Sequence, residues 1–372
     1  MGVKMTKDTE FLLESTKNST KNDALAIVQK AITGEKGERI DAREAAILIH
    51  HAKDIEPTIF SAATYIRKRV YGKRMVLFAP LYIGNHCIND CVYCGFRVSN
   101  KYLKRRTLDT KVVEKEVRWL HQRGYRRILL ETGESQYSSI DQICEIMRFI
   151  YSLRDKDNLP MIYRINVNIA ATTKENYKKF LDAGIGTYNL FQETYHRPTY
   201  DRMHPHGPKN SYDRQIAAPS EAIKAGVDDI GIGVLFGLYK WEYELLSLIN
   251  HSLDLEKTNG IGPHAISFPR VKPADGVNFT PPYPVSDDDY LRIIAITRLA
   301  LPYAGQIIST RESAHIRRRA FLIGISQTSA GSSTEVGGYS KGQHAGQFAL
   351  ADERPLEEVV IELLRDGFIP AF

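Results

Sequence analysis

The sequence predicts an α/β protein, a (β/α)₈ TIM-type barrel with an N-terminal helical extension. Three observations carry that reading. The length of 372 residues suits one barrel of ~250 residues plus added segments. From Met75 onward one joint recurs: a helical stretch ends in glycine and an apolar run follows, as at Gly124 before RRILLE, Gly184 before IGTYNLF, Gly226 before DDIGIGVLFGL and Gly305 before QIIST. Glycine just past a helix, followed by a buried strand, is the expected α-to-β joint. Eight such runs alternate with helical stretches, and that alternation implies parallel strands.

Taken in order, residues 1–72 form the helical extension and residues 73–372 the barrel. Asp41 to Glu44 carries capping signals for a helix reaching Ala52. Ser61 to Tyr71 continues as a basic amphipathic helix that Gly72 ends. The strands are expected near 75–80, 127–131, 161–168, 187–191, 229–235, 264–269, 305–309 and 323–327. Residues 270–286 are Pro-rich and read as a long loop over one mouth, after which Ser286 and Asp289 start a helix. A last helix spans Pro355 to Asp366, Gly367 stops it, and the apolar FIPAF either packs on the barrel or leads into a longer protein.

Composition excludes several classes. With 43% hydrophobic and 25% charged residues the chain is neither disordered nor fibrous. No apolar run reaches the ~18 residues of a membrane span, and the polar start lacks the apolar centre of a signal peptide. A cytoplasmic protein is expected. The net charge of +6 is spread along the chain, which gives no footprint for nucleic acid. Arg317-Arg318-Arg319 lies in a helical stretch and reads as a solvated face.

The cysteines carry the strongest signal. Of four, Cys87, Cys91 and Cys94 fall within eight residues. That spacing is too tight for a disulfide framework and points to metal or catalysis in a reducing compartment. The C-x₃-C-x₂-C loop directly follows the first strand. Three thiolates there can hold three irons of a [4Fe–4S] cluster and leave one iron open. A zinc ion with His86 as fourth ligand is the rival, and three metal-free thiols are the third reading. Cys144 has helical spacing and reads as core. Gly231-x-Gly233-x-x-x-Gly237 has the wrong spacing for a dinucleotide site; its glycines are expected to let a ligand approach the strand. His204-Pro-His206 lacks a third ligand and reads as structural.

C-x₃-C-x₂-C with Tyr93 before the last cysteine resembles the radical S-adenosylmethionine (SAM) signature. FAPLYIGNHCINDCVYCGFRVSN, RINVNIAATTKENY, QETYHRPTYDRMHPHGPK, GIGVLFGLYKWEYE and STRES extend it. Over roughly residues 40–372 the chain resembles the radical SAM tyrosine lyases that make dehydroglycine (2-iminoacetate), the group of the [FeFe]-hydrogenase maturase HydG and the thiazole enzyme ThiH. ISFPRVKPADGVN and ISQTSAGSSTEVGGY look more like HydG. HydG continues into a C-terminal domain with a second cluster, which would start where this sequence stops at Phe372. The four cysteines here supply ligands for one cluster.

The resemblance implies a radical SAM barrel, one [4Fe–4S] cluster on Cys87, Cys91 and Cys94, and SAM as cofactor. It implies cleavage of the Cα–Cβ bond of L-tyrosine to p-cresol and dehydroglycine, in hydrogenase H-cluster maturation, with the ThiH role in thiamine thiazole synthesis as the alternative. An electron donor such as ferredoxin or flavodoxin would be the partner. Glu134 would bind the SAM ammonium, Gln192 and Glu193 its ribose or methionine part, and Arg214 its carboxylate, with Tyr93 beside the cofactor. Arg311 would hold the substrate carboxylate in bidentate fashion, helped by a hydroxyl, Thr328 or Ser329. Tyr82 and Arg270 are further candidates at the cavity. A tryptophan lyase and a zinc-binding interaction protein remain as rival readings.

Overall fold

The computed structural model describes residues 2–34, 39–341 and 346–372. Four helices come first: α1 (Gly2–Ser15), α2 (Lys21–Thr33), α3 (Ala42–His50) and α4 (Glu56–Tyr71). Asp41 caps α3 by accepting from the Glu44 amide at 2.8 Å, and Glu44 reaches back to the Asp41 amide at 2.9 Å. That reciprocal pair satisfies two orphan donors of the first turn.

Strand β1 (Arg74–Gly84) opens the barrel, and α5 (Thr110–Gln122), β2 (Arg127–Thr132), α6 (Ile140–Ser152), β3 (Arg164–Asn168), α7 (Lys174–Asp182) and β4 (Tyr188–Glu193) follow. Then come α8 (Arg197–Met203), α9 (Tyr212–Lys224), β5 (Ile230–Val234), α10 (Trp241–Asn259), β6 (Ala265–Ser267), α11 (Asp287–Ala300), β7 (Gly305–Ile308), α12 (Ala314–Ile323) and β8 (Gln327–Ser329). The chain closes with α13 (Gly338–Lys341), α14 (Leu356–Arg365) and β9 (Ile369–Ala371). Neighbouring strands pair in parallel from β2 round to β8 and β1, and β1 pairs again with β2, so the eight strands form a closed barrel. β9 adds to the first residues of β1, Arg74 pairing with Ile369. The terminal apolar run is therefore an extra strand at the foot of the barrel.

Two buried arginines tie the amino ends of the strands to the helices. Arg67 of α4 donates to the carbonyls of Ile325, Gly72 and Arg74 at 2.8–3.1 Å. Arg298 of α11 donates to those of Gly324, Pro302 and Ala304. A guanidinium has five donors in a fixed fork, so each satisfies several buried loop carbonyls at once. No helix among the described residues is long and apolar enough to cross a membrane.

Three expectations are corrected. The eighth strand is Gln327–Ser329, beyond the anticipated 323–327: the apolar run there ends helix α12, and the strand itself is polar because it faces a cavity. Arg317 is not on a solvated face. It is buried, paired with Asp352, and donates to Thr328 Oγ1 at 2.9 Å, while Arg318 pairs with Asp366 at the surface. Gly231 and Gly233 admit no ligand. A Cβ at Gly231 would meet Asn189 Oδ1 at 2.0 Å, and one at Gly233 would meet the Phe191 ring and the Ser267 carbonyl at 2.8 Å, so protein atoms fill the room.

Candidate active site at the carboxyl ends of the strands

One cavity opens at the carboxyl ends of the strands, the functional end of such barrels. Its wall includes all three clustered cysteines, Tyr82, Glu131, Asn168, Glu193, Lys209, Ser267, Arg311 and Ser329. Side chains from six strands and their loops thus converge on one space.

The cysteine loop leaves β1 at Gly84 and is packed against the end of β2. A Cβ on Gly133 would meet the His86 carbonyl at 2.3 Å and Cys87 Cβ at 3.0 Å. Only glycine permits that contact. Cys91 is buried, while Cys87 and Cys94 are partly exposed. Burial pushes the Cys94 thiol up to about 11, with the charge of Cys87 adding to it, and Cys91 shifts the same way. A cationic metal centre reverses that preference and holds thiolates. Side-chain amides of Asn89 and Gln347 point at the sulfurs of Cys87 and Cys94, each at 3.8 Å. His86 packs tilted against Tyr137, 4.5 Å between centroids. Three thiols facing one cavity, with donors aimed at two of them, fit a larger centre open on its cavity side.

Tyr93 lines the cavity, and its hydroxyl meets His204 Nε2 at 2.8 Å. His204 is fully buried, its Nδ1 meets the Tyr200 carbonyl, and burial lowers its imidazole to about 3. It is a structural histidine. Glu134 accepts from Asn89 at 2.7 Å and lies 3.8 Å from Arg214. Arg214 sits in the adjoining recess with Thr132 and Ala171. A cation and an anion therefore stand side by side at the mouth.

At β4 the register shifts between Phe191 and Glu193. Both face the cavity, and Gln192 falls behind them, buried and away from it. Gln192 is thus corrected as a cofactor contact. Glu193 has φ +68° and accepts from Lys209 at 2.6 Å. Burial works against the Lys209 charge, but Glu193 and Cys91 beside it hold the ammonium protonated. No sequence spacing marks Lys209, which reaches the cavity from the loop after α8.

Across the cavity, Tyr82 pairs in register with Glu131, and its hydroxyl donates to Gln347 Oε1 at 2.9 Å. Burial pushes the Glu131 carboxyl up to about 7, against the pull of Tyr82 and Arg311. Arg311 lies over the Phe348 ring, 3.2 Å from its centroid. Its neighbour Glu312 is held by Arg270 and by Lys272 at 3.5 Å. Arg311 has no ion pair among the described residues, so its fork is left to the cavity.

Arg270 and Thr328 are corrected as substrate contacts. Arg270 binds Glu312, Asp287 and the Val285 carbonyl and does not line the cavity. Thr328 donates to the Ile308 carbonyl and accepts from Arg317. Strand alternation turns it outward and turns Gln327 and Ser329 inward. Cys144 is buried in the core on α6.

Comparisons with known proteins agree with this geometry. The radical SAM superfamily matches residues 81–249, and the biotin and thiamin synthesis associated domain matches residues 267–369. A crystal structure of HydG, a maturase of the [FeFe]-hydrogenase, superposes with a TM-score of 0.93 at 44% identity, covering 98% of this chain and 79% of that one. HydG from Carboxydothermus hydrogenoformans superposes with a TM-score of 0.89 at 40% identity, covering 100% of this chain and 85% of that one. The 2-iminoacetate synthase of Salmonella typhimurium is 30% identical over 353 residues, 93% of this chain and 90% of its own length.

Proposed function

The chain belongs to the radical SAM superfamily, as a lyase related to HydG and the 2-iminoacetate synthases, and from that premise we propose that it cleaves the Cα–Cβ bond of L-tyrosine to p-cresol and dehydroglycine. The observation that carries the substrate class is Arg311: a guanidinium without an ion pair among the described residues, on the wall of the cavity that holds the three thiols. A desolvated guanidinium fork there calls for a carboxylate, which it can bind with two parallel hydrogen bonds.

The family implies a [4Fe–4S] cluster and SAM. Bound together, they would supply one-electron cleavage of SAM and a fragment that abstracts hydrogen from the substrate. Cys87, Cys91 and Cys94 would hold one cluster. Glu134 and Arg214 present an anion and a cation to the ammonium and carboxylate of a SAM amino-acid end. Glu193 lines the same wall and would contact the rest of the cofactor. Arg311, with Ser329 and Tyr82, would hold tyrosine by its carboxylate and keep its amino group towards the cofactor. Glu131, whose carboxyl burial raises to about 7, can carry or release a proton beside Tyr82. The protein's work is to orient the reactants and exclude water.

Higher identity to the two HydG chains favours hydrogenase maturation as the setting. The match over 90% of a 2-iminoacetate synthase supports thiamine thiazole synthesis as the alternative. A cytoplasmic location and a ferredoxin or flavodoxin donor complete the proposal, with residues 1–72 as extension and 73–372 as catalytic barrel. Incubation with tyrosine or tryptophan tests the substrate. Release of p-cresol from tyrosine is expected; an indole product from tryptophan instead would overturn the assignment.

A further inference from the structure

We propose that the surface over the three-cysteine loop, centred on Ile88, Val98 and Tyr102 and flanked by Lys101 and Lys104, docks an acidic one-electron carrier protein. The inference rests on the radical SAM reading, because that chemistry draws one electron from outside for each SAM cleaved. The carrier would be oxidised by one electron, and the carbon–sulfur bond of SAM would take that electron and break into methionine and a 5′-deoxyadenosyl radical.

Four large apolar side chains lie open around the loop: Ile88 at 49% exposure, Val98 at 43%, Tyr102 at 69% and Tyr137 at 52%. They belong to connected backbone. The Val98 amide donates to the Asn89 carbonyl at 2.9 Å, the Ile88 amide to the Glu134 carbonyl at 2.9 Å, and Tyr137 packs tilted against His86. Cys87, next to Ile88, is partly exposed, whereas Cys91 is buried. Cys87 itself lines the cavity, and Ile88 brings this face within one residue of that cysteine ligand.

Its charge is mainly positive; the neighbouring loop adds one exposed acid, Asp275, whose carbonyl accepts from Asn100 at 2.9 Å. Between Asn85 and Arg106 the only acid is Asp90, against Arg97, Lys101, Lys104, Arg105 and Arg106. Arg97 neutralises Asp90 at 2.7 Å. Lys101 and Lys104 are exposed and form no ion pair among the described residues. Arg105 donates to the carbonyls of Asn85, Phe96, Arg97 and Asn100, which fixes the segment against the cysteine loop. A small apolar centre with an aromatic and a cationic rim suits a transient partner of opposite charge. Electron-transfer encounters typically bury less than ~1,200 Å², and rim charges mainly set their association rate and salt dependence.

The test uses the Lys101→Glu/Lys104→Glu double variant and, separately, Tyr102→Ala. Binding of a flavodoxin is measured by surface plasmon resonance at low and high salt, and SAM cleavage is driven by flavodoxin or by dithionite. The double variant is expected to bind flavodoxin about tenfold more weakly at low salt and to lose most of the salt dependence. Tyr102→Ala is expected to weaken binding at both salt concentrations. Dithionite-driven cleavage should match the parent in both variants, which shows the fold and cluster loop intact. Unchanged flavodoxin affinity in both variants overturns the proposal. So does a patch that serves a second copy of this chain, seen in sedimentation as variants that dissociate a dimer yet bind flavodoxin normally. Failure of tyrosine cleavage would instead strike the lyase reading and leave the binding result standing.

Discussion

The Lys209 ammonium donates to Glu193 Oε1 at 2.6 Å, and Glu193 is held at φ +68°, one of two non-glycine residues in that region among those described. A bulky residue in left-handed backbone costs of order 1–3 kcal/mol and persists where the surroundings impose it. Here the register shift at the end of β4 imposes it and brings the carboxylate into the cavity beside the cysteines. Both side chains are largely buried, with 16% and 12% exposure. Removing one partner strands the other. Glu193→Gln and Lys209→Met should each cost about 3–5 kcal/mol of stability. The double variant should lose much less than the sum, as a denaturant double-mutant cycle would reveal. Additive losses would show that the pair is not coupled.

Each of Cys87, Cys91 and Cys94 changed to Ala should abolish both the iron–sulfur absorbance after reconstitution and SAM cleavage, since each would be one of three protein ligands. Cys144→Ala should leave both intact, because that thiol lies in the core on α6. SAM cleavage by reconstituted Cys91→Ala would refute the cluster assignment.

Arg311→Ala should weaken tyrosine binding by roughly 2–5 kcal/mol, the usual cost of leaving a buried charge contact unmade. SAM binding should persist, because Glu134 follows β2 and Arg214 lies at the start of α9, away from the loop after β7 that carries Arg311. Isothermal titration of each ligand separates the two effects, and unchanged tyrosine affinity would remove Arg311 from the substrate site.

Glu244 gives a pH prediction. It accepts from the Thr194 hydroxyl and from the Tyr195 amide at 2.8 Å, and burial raises its carboxyl from 4.5 to about 8. Between those values the folded chain keeps a proton that the unfolded chain releases. Stability from this group is therefore complete below pH about 4.5, falls as pH rises to about 8, and is level above. Glu244→Gln cannot ionise, so the stability of the parent relative to this variant should fall from pH 5 to 8. Parallel stability curves would contradict the assignment.

The cysteine loop is legible from its spacing; Tyr82, Glu134, Glu193, Arg311 and Ser329 come from the resemblance, and all of them line the cavity. Gln192 and Thr328 were misplaced by one residue. A register shift such as that before Glu193 leaves no trace in composition, and a three-residue polar strand such as β8 shows no apolar run to fix its phase. Lys209 and Gln347 reach the site from loops, through contacts distant in sequence. Arg317 carries no mark of burial, because its partner Asp352 lies beyond the helix that holds it.

The central claim is tested most directly by the products of the 372-residue polypeptide, reconstituted and supplied with SAM, tyrosine and dithionite without oxygen. The three cysteines, Tyr82, Glu134, Glu193, Arg311 and Ser329 line one cavity, with Arg214 in the adjoining recess. The account predicts p-cresol in proportion to 5′-deoxyadenosine, with glyoxylate and ammonia from hydrolysed dehydroglycine. Absence of p-cresol would contradict tyrosine cleavage itself.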